Sequence, residues 1–351
     1  MKILALDLGK FKTVSVVSNG GEPKFVTLAT DRQEFTKLLQ RERPDVVVFE
    51  TCTAAGWLAD LCEELGFDCL VANPNGEAWR WSRIKRKTDR DDALKLLRMT
   101  QRHELPTVHM PSRAVRAKRS LLNFRQAVIT RRVAVQNEIR AVWQAQGIAD
   151  LPPGAATWTQ AGMQLLRAQT RPLAEKAPEE FSRGQLGLLV QSLEQMRAQE
   201  KELDQKLDAL AKQDAGVQLL MTTGGIGRCT AEVICAWIDN PRRFQNSRQV
   251  SSCVGLVPRQ FQSGESDRRG RITKQGNSLL RKTLVECAWL MQRYNPWAVS
   301  VVQRISKGQK TRKKQAIVAL ARKLLVRCWA MLRDGTEWKP EPSPTNRATT
   351  C

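Results

Sequence analysis

The chain opens with Met1-Lys2-Ile3-Leu4-Ala5-Leu6-Asp7-Leu8, a short apolar run that closes on an acidic residue. Two more short runs rich in β-branched residues follow, at residues 13–18 and 25–28, and turn residues separate the three. Runs of this length and composition are typical of β-strands. We therefore predict a meander of three strands at the start of the chain.

Helical and strand patterns alternate after this meander. Helices are predicted near residues 31–41 and 56–65 and from about 88 to 101, with strands at 45–50 and 69–72. The resulting order, βββαβαβα, is that of the RNase H fold. The predicted fold class is α/β plus α: an RNase H-like (RuvC-like) domain, long coiled-coil helices and a mainly helical C-terminal domain.

Acidic residues lie at the ends of three of these elements. Asp7 ends the first strand, Glu50 ends the fourth, and Lys87-Thr88-Asp89-Arg90-Asp91-Asp92-Ala93 opens the last helix. In an RNase H topology these three places converge. We therefore expect the acids to lie close together.

Helical spacing selects among the acids of the last helix. Asp89 and Asp92 are three residues apart and share a helix face, whereas Asp91 is turned from Asp89 by about two hundred degrees. Four carboxylates at one place repel each other without a cation, and they suit two divalent metal ions. We predict a site for Mg²⁺ (or Mn²⁺) whose ligands are Asp7, Glu50, Asp89 and Asp92. The alternative for the last pair is that Asp89 caps its helix and Asp92 interacts with the helix dipole.

The middle of the chain carries two long helical patterns. One spans residues 115–143, with apolar residues at a seven-residue spacing: Leu121, Val128, Val135 and Val142. The other fills coiled-coil positions and is interrupted by Glu200; its apolar members are Leu186, Leu189, Leu193, Met196, Leu203, Leu207 and Leu210. We predict a coiled-coil pair, formed either within one chain or between chains.

A further unit begins near residue 216, where Thr223-Gly224-Gly225-Ile226-Gly227 resembles a helix-hairpin-helix turn. The predicted domains are an RNase H-like metal domain at 1–108, coiled-coil helices with an irregular insertion at 109–215, and a C-terminal domain at 216–335. Residues 336–351 are polar and rich in proline, so we predict a disordered tail.

Composition narrows the class of function. The chain has 57 Lys and Arg against 35 Asp and Glu, and the net charge of +22 favours a polyanionic partner, above all nucleic acid. The only histidines are His103 and His109 and the only tyrosine is Tyr294, which disfavours histidine-dependent chemistry and tyrosine recombinases. No apolar run is long enough to cross a membrane, and nine cysteines without a Cys-x-x-Cys pair suggest neither disulfides nor a zinc ribbon. We expect a cytoplasmic protein, associated with the nucleoid when it acts.

With these features the chain resembles the DEDD transposases of bacterial insertion sequences, the bridge-RNA-guided recombinases of family one hundred and ten. The resemblance covers nearly the whole chain. Besides the four acids, it rests on Asp7-Leu8-Gly9-Lys10, Asn73-Pro74, Gly225-Ile226-Gly227, Val254-Gly255-Leu256-Val257-Pro258-Arg259, Ser263-Gly264 and Thr273-Lys274-Gln275-Gly276-Asn277 with Arg281.

The resemblance implies a RuvC-like metal site at the four acids and a serine nucleophile, which falls on Ser263. This serine would form a covalent phosphoserine with DNA. It also implies donor and target DNA and a structured bridge RNA as partners, and a homo-oligomer that is a tetramer built from dimers.

Basic residues surround Ser263 in the sequence and offer contacts for the scissile phosphate. A basic loop that only holds the DNA backbone explains the same residues, and Ser251, Ser252 and Ser266 are competing serines. The residues that we expect to contact nucleic acid are Lys10, Arg259, Arg268, Arg269, Arg271, Lys274, Asn277 and Arg281.

Three hypotheses follow. The first is an RNA-guided recombinase that cuts and rejoins DNA through Ser263, with the acids assisting. The second is a RuvC-like metal nuclease or resolvase in which water attacks and Ser263 is structural. The third is a nucleic-acid-binding protein without catalytic activity.

Overall fold

The computed structural model describes residues 1–74, 88–147, 151–175, 178–263 and 266–339. The chain forms two compact units, Met1–Ala117 and Lys118–Cys351. Three of the predictions fall partly outside the described residues: Lys87 of the acidic motif, Gly264 of the serine motif and residues 340–351 of the tail.

In its described residues, the first unit contains five strands and three helices, interspersed in the predicted order, before the start of the long helix that follows. These are β1 (Ile3–Leu8), β2 (Lys12–Ser18), β3 (Lys24–Ala29), α1 (Arg32–Glu42), β4 (Val46–Glu50), α2 (Ala55–Glu64), β5 (Asp68–Ala72) and α3 (Asp89–Gln101).

The strands form one mixed sheet in the order β3-β2-β1-β4-β5. β1 pairs antiparallel with β2 and parallel with β4, and β4 pairs parallel with β5. The meander prediction is confirmed, because β2 also pairs antiparallel with β3. This strand order, with helical crossovers after the meander, is RNase H-like.

Alternation along the strands gives the sheet two buried faces. On one face, Leu4 and Leu6 of β1 pack with residues of α1 and α2. On the other face, Ile3 and Ala5 pack with residues of α3, including Ala93. Every second residue of β1 and β4 therefore points towards α3.

The second unit is mainly helical. The helix α4 (Arg113–Ala145) enters it across the unit boundary, and the remaining elements are α5 (Gln160–Ala168), α6 (Phe181–Gln213), α7 (Ala215–Met221), α8 (Arg228–Ile238), α9 (Ser247–Cys253), β6 (Pro258–Ser263), β7 (Ser266–Ile272), α10 (Ser278–Tyr294), α11 (Pro296–Ser306) and α12 (Lys313–Asp334). None of the helices in the described ranges is both long and apolar enough to span a membrane.

The two long helices, α4 and α6, pair antiparallel within the chain. Arg125 binds Asp204 and Arg132 binds Glu200. The residue numbers of the paired positions therefore rise along α4 as they fall along α6. The Arg132–Glu200 ion pair accounts for the acid that interrupts the apolar pattern of α6. An acid paired with one cation on the facing helix favours a single register.

The predicted apolar face of α4 is confirmed at Val128, which is buried, and is turned by one residue towards the ends of the helix. There the buried residues are Leu122 and Trp143, rather than the predicted Leu121 and Val142. One residue corresponds to about 100° around a helix. The seven-residue pattern missed this because polar residues, among them the buried Gln136, share the inner face.

Three features of the second unit differ from the sequence expectation. The insertion contains a regular helix, α5, whose Met163 and Leu166 pack with Trp143 of α4. The mainly helical C-terminal part includes an antiparallel hairpin of β6 and β7, where the sequence suggested a loop. Trp338, in the predicted tail, packs edge-on against Trp297 with ring centroids 4.9 Å apart.

Candidate active site

The first two acids of the predicted metal site continue neighbouring parallel strands. Leu6 is in register with Phe49, so the next residues, Asp7 and Glu50, lie side by side at the carboxyl ends of β1 and β4. Both follow residues that face α3, namely Ala5 and Val48, at the two-residue spacing of a strand. Both are half-buried.

The first turn of α3 carries the other acids, Asp89, Asp91 and Asp92. Their hydrogen bonds and their burial differ. Thr88 caps the helix, and its hydroxyl accepts a hydrogen bond from the backbone N–H of Asp91 at 3.3 Å. The Asp91 carboxylate accepts hydrogen bonds in return from the Thr88 N–H at 3.1 Å and the Thr88 hydroxyl at 2.6 Å. This capping box engages Asp91 and not Asp89, so the alternative in which Asp89 caps the helix is wrong.

Asp92 is 7% exposed and lies beside Ala93, which packs on the sheet face that Asp7 and Glu50 continue. Asp89 is exposed, one turn before it on the same stripe of α3. The choice of Asp89 and Asp92 over Asp91 agrees with this arrangement.

Oxygen donors from carboxylates are the kind of ligand that Mg²⁺ prefers, so the four acids fit a magnesium site in their chemistry. The positions of the four side chains, however, do not match those of metal ligands. Within the described ranges no group of three or more His, Cys, Asp or Glu side chains is close enough to hold a metal ion. The sheet and α3 thus direct the acids to one face without bringing them to a common point.

Lys10 lies in the turn between β1 and β2, three residues after Asp7. It is exposed, and its ammonium group lies 5.0 Å from the ring centroid of Phe11, which is itself 75% exposed. Gly9 is required in this turn, because a Cβ there would lie 2.3 Å from the carbonyl oxygen of Lys12. The turn presents a cation and an aromatic ring beside the strand end that carries Asp7.

The predicted nucleophile, Ser263, is the last residue of β6 and is exposed. It pairs across the hairpin with Ser266 at the start of β7. The two strands are therefore joined by a two-residue connection, and Ser263 lies at the tip of the hairpin. A hydroxyl at this place is open to a macromolecular substrate.

One face of the hairpin carries Ser263 together with a cation and an aromatic ring. Phe261, two residues before Ser263, shares this face and pairs across the hairpin with Arg268. A Cβ on Gly270 would contact both Arg259 and Phe261 at 3.5 Å, which places Arg259 on the same face. The opposite face carries Gln260 and Asp267, joined by a hydrogen bond of 3.0 Å.

The base of the hairpin is built from the two glycine motifs that flank it. Gly276 has a φ of +71° and lies so close to the backbone that an added Cβ would be 1.9 Å from the carbonyl oxygen of Cys253. Gly255, with a φ of +67°, packs against the backbone of Gln275 in the same way. Thr273 donates a backbone hydrogen bond of 2.9 Å to Val257 and closes the hairpin. No residue with a side chain fits at either glycine without movement of the backbone.

Two residues that were predicted to contact nucleic acid serve this base. Arg281 donates hydrogen bonds from its guanidinium to the carbonyl oxygens of Val254, Gln275 and Gly276. Asn277 caps α10, as expected, by accepting a hydrogen bond of 2.8 Å from the Leu280 N–H. Both residues position the hairpin.

The remaining predicted contacts of this region are cationic side chains, most of them exposed. Arg259, Arg268, Arg271 and Lys274 are exposed, and the side chain of Arg269 lies outside the described part. Of the competing serines, Ser266 is exposed opposite Ser263 and Ser252 is exposed on α9, whereas Ser251 is buried and donates a hydrogen bond of 2.9 Å to the Ser247 carbonyl. The geometry therefore leaves Ser263 and Ser266 as the accessible hydroxyls of the hairpin.

Sequence reasoning missed an ion cluster centred on Arg228, whose acidic members range from fully buried to exposed. Its guanidinium binds Asp204 and Asp208, both at 2.5 Å, and Glu232 at 2.7 Å. Glu232 is fully buried, and this burial raises its pKa against the opposing effect of Arg228. Burial also acts to raise the pKa of Asp204, but hydrogen bonds from Arg125 and Arg228 outweigh it and lower that pKa. The cluster joins α6 to α8 and is structural.

Two family profiles match the chain. Residues 4–145 match a DEDD transposase profile described as "Transposase", and residues 217–303 match "Transposase IS116/IS110/IS902 family". The first contains the four acids and the second contains the hairpin with Ser263. The chain belongs to the IS110 family of DEDD transposases.

Some relatives of this IS110-family transposase match most of its length, and others match about a third of it. The transposase for insertion sequence element IS1328 of Yersinia enterocolitica is 28% identical, over 87% of this chain and 89% of the relative. The pilin gene-inverting protein of Moraxella lacunata is 36% identical, over 33% of this chain and 36% of the relative. The solved structure of T. thermophilus RuvC in complex with Holliday junction substrate matches 31% of this chain and 99% of its own, at 13% identity and a TM-score of 0.23.

Proposed function

We propose that this IS110-family transposase cuts and rejoins DNA strands through a covalent intermediate on Ser263. The observation that carries the proposal is the exposed position of Ser263 at the hairpin tip, on the face shared with Arg259 and Arg268. Guanidinium groups beside a nucleophile can bind the scissile phosphate and stabilise the charge that develops on it.

In the proposed reaction the Ser263 oxygen bonds to phosphorus, and the bond from phosphorus to the 3′ oxygen breaks. The serine proton leaves to solvent and the 3′ oxygen takes up a proton, which gives a 5′-phosphoserine and a free 3′ hydroxyl. A 3′ hydroxyl of another strand then attacks the phosphoserine, restores the phosphodiester and frees the serine. The partial relative that inverts a pilin gene supports a reaction in which strands are both cut and rejoined.

The acids of the first unit are proposed to bind divalent metal, with Asp7, Glu50, Asp89 and Asp92 as ligands. Bound Mg²⁺ would offset the repulsion among the carboxylates and stabilise negative charge on the phosphate. The shared sheet face of Asp7 and Glu50 and the burial of Asp92 beside it support this ligand set.

The family resemblance adds two partners to the proposal. A structured bridge RNA would select donor and target DNA, and the chain would act as a tetramer built from dimers. The net charge of +22 supports binding of both nucleic acids.

A labelled-DNA assay tests this proposal. The protein is incubated with labelled DNA, Mg²⁺ and RNA transcribed from the flanks of the element, and the products are resolved on a denaturing gel. We expect a protein-DNA adduct with the parent and with Ser266→Ala, the matched control across the hairpin. Ser263→Ala and Asp92→Asn should both lose the adduct.

The acidic face of the first unit favours a second candidate, a RuvC-like metal nuclease in which water attacks the phosphate. In that case Ser263→Ala would still cleave DNA, and only the acidic variants would be inactive. A protein that binds DNA without cutting or joining it in the parent form would instead support a binding role alone.

A further inference from the structure

A cavity of about 650 Å³ lies within the second unit, between one face each of α9, α11 and α12. Five cationic side chains line it, and no carboxylate does so among the described residues. The cations are Arg248, Arg304, Arg322, Lys323 and Arg327.

The three helices each direct a stripe of residues into this cavity. On α12, Lys323 and Arg327 are four residues apart, and on α11 Trp297 precedes Arg304 by seven. On α9, Ser247 and Ser251 follow the same four-residue spacing, and the exposed Ser247 and Ser252 add hydroxyl groups. The basic lining therefore comes from separate elements that the fold brings to one place.

The five cations of the cavity differ in exposure and in their partners. Arg248 and Arg304 are exposed, while Arg322 and Lys323 are half-buried, and no ion pair is present for any of these four in the described ranges. Arg327 differs, because its guanidinium packs against two neighbouring indole rings, 4.4 Å from the centroid of Trp297 and 4.8 Å from that of Trp338. Like charges gathered around a concave surface repel each other and concentrate anions there.

We propose that this cavity, here called the basic cleft, holds the phosphodiester backbone of a nucleic-acid strand. Arginine forks bind phosphate through two parallel hydrogen bonds, and lysine and serine add single donors, so the lining suits successive phosphates. Phosphate contacts carry no sequence information, so the proposed binding is independent of base sequence.

One residue of the cleft is close in sequence to the strand that carries Ser263. The step from there to the cut site rests on the proposed function. Val257 lines the cleft and directly precedes β6, which ends at Ser263. Six residues of extended strand span about 20 Å. A duplex advances about 3.4 Å for each nucleotide of one strand, so the cleft would hold a phosphate about six nucleotides from the cut.

The salt dependence of binding tests the cleft. Anisotropy of labelled DNA duplex and of labelled RNA is measured with the full chain between 50 and 200 mM salt, where each phosphate contact contributes a log–log slope of about −0.9 on duplex and −0.7 on single strands. The first variant is Arg248→Gln with Arg304→Gln, because both side chains are exposed. The matched control is Lys206→Gln with Lys212→Gln, two exposed cations of α6.

We expect the cleft variant to flatten the slope by about 1.8 for a duplex or 1.4 for a single strand. The loss of affinity between the two salt concentrations would then be about twelvefold or sevenfold smaller than for the parent. The control should keep the parent slope. The polymer on which the slope changes identifies the strand as DNA or RNA.

Equal slopes for the parent and the cleft variant on both polymers would overturn the proposal. A second pair, Arg322→Gln with Lys323→Gln, repeats the test after its melting temperature is compared with that of the parent. A backbone footprint about six nucleotides from the cut tests the link to Ser263. If Ser263 forms no adduct but the cleft variant still has a flatter slope than the parent, the proposed function is wrong and the proposal for the basic cleft is supported.

Discussion

A serine hydroxyl attacks phosphorus only where its surroundings stabilise the charge that develops on the phosphate. In the proposed reaction the guanidinium of Arg268, which lies across from Phe261 on the face of Ser263, would supply this surrounding. The opposite face offers the matched comparison, since Gln260 is exposed and its side chain donates a hydrogen bond to Asp267.

We predict that Arg268→Gln slows adduct formation by about 10²–10³, the usual cost of removing one donor to a developing oxyanion. Gln260→Ala should leave the rate within a few fold of the parent. Single-turnover kinetics of adduct formation provides the measurement. Equal rates in the two variants would remove Arg268 from the reaction.

The acids at the start of α3 allow an isosteric comparison. Asp91 is exposed and its carboxylate closes the capping box, whereas Asp92 is buried beside the sheet. We predict that Asp91→Asn costs about 0.5–1 kcal/mol of stability and keeps strand cleavage, while Asp92→Asn abolishes cleavage. Cleavage assays combined with urea unfolding separate the two effects. Loss of cleavage in Asp91→Asn with full activity in Asp92→Asn would reverse the assignment.

At the scale of elements, the Arg228 cluster holds α8 against α6. Removal of one partner from a buried ion pair leaves an uncompensated charge, so Arg228→Met is expected to destabilise the protein by about 3–5 kcal/mol. Arg242→Met, at an exposed arginine, should change the stability by less than about 0.5 kcal/mol. Adding Glu232→Met to Arg228→Met should recover much of the loss, because the fully buried carboxylate is then removed and Asp204 keeps its pair with Arg125. Thermal unfolding of the three variants checks this.

The same cluster predicts a pH dependence. Burial already raises the pKa of Glu232, and without Arg228 that pKa rises further. A carboxyl whose folded pKa is raised destabilises the fold at pH values above that pKa, and protonation relieves the penalty as the pH falls. The destabilisation of Arg228→Met should therefore shrink between pH 7 and pH 5. A constant or growing difference between variant and parent over this range would contradict the account.

The elements that the sequence predicted well are those with strong periodicity. The strand order of the first unit and the two long helices follow from apolar runs and from spacing, and Asp7 and Glu50 were found because each closes such a run. The hairpin was missed because all of its β6 residues are exposed, so no alternation of apolar and polar residues marks it. The Arg228 cluster was missed because its members come from separate elements and none forms a local motif. Gly276 was noted as part of a motif, but only the structure shows the close approach that requires it.

For the whole molecule, the central question is whether metal completes the acidic face of the first unit. A ligand that binds only the folded state stabilises it by about 2.7 kcal/mol at one hundred times its dissociation constant. We predict that Mg²⁺ raises the melting temperature of the parent and that Asp7→Asn loses most of this shift. Asp60→Asn is the control, since Asp60 binds Arg116 on α4 and takes no part in the site. An equal Mg²⁺ shift in all three proteins would place the metal elsewhere.

The most direct test of the account is to isolate the protein-DNA adduct, digest both components and locate the attached nucleotide by mass spectrometry. The account predicts a phosphodiester remnant on the peptide that contains Ser263, dependent on Mg²⁺ and absent from Ser263→Ala. An adduct on Ser266 would contradict the assignment of the nucleophile. Efficient cleavage without any adduct would contradict the serine mechanism itself.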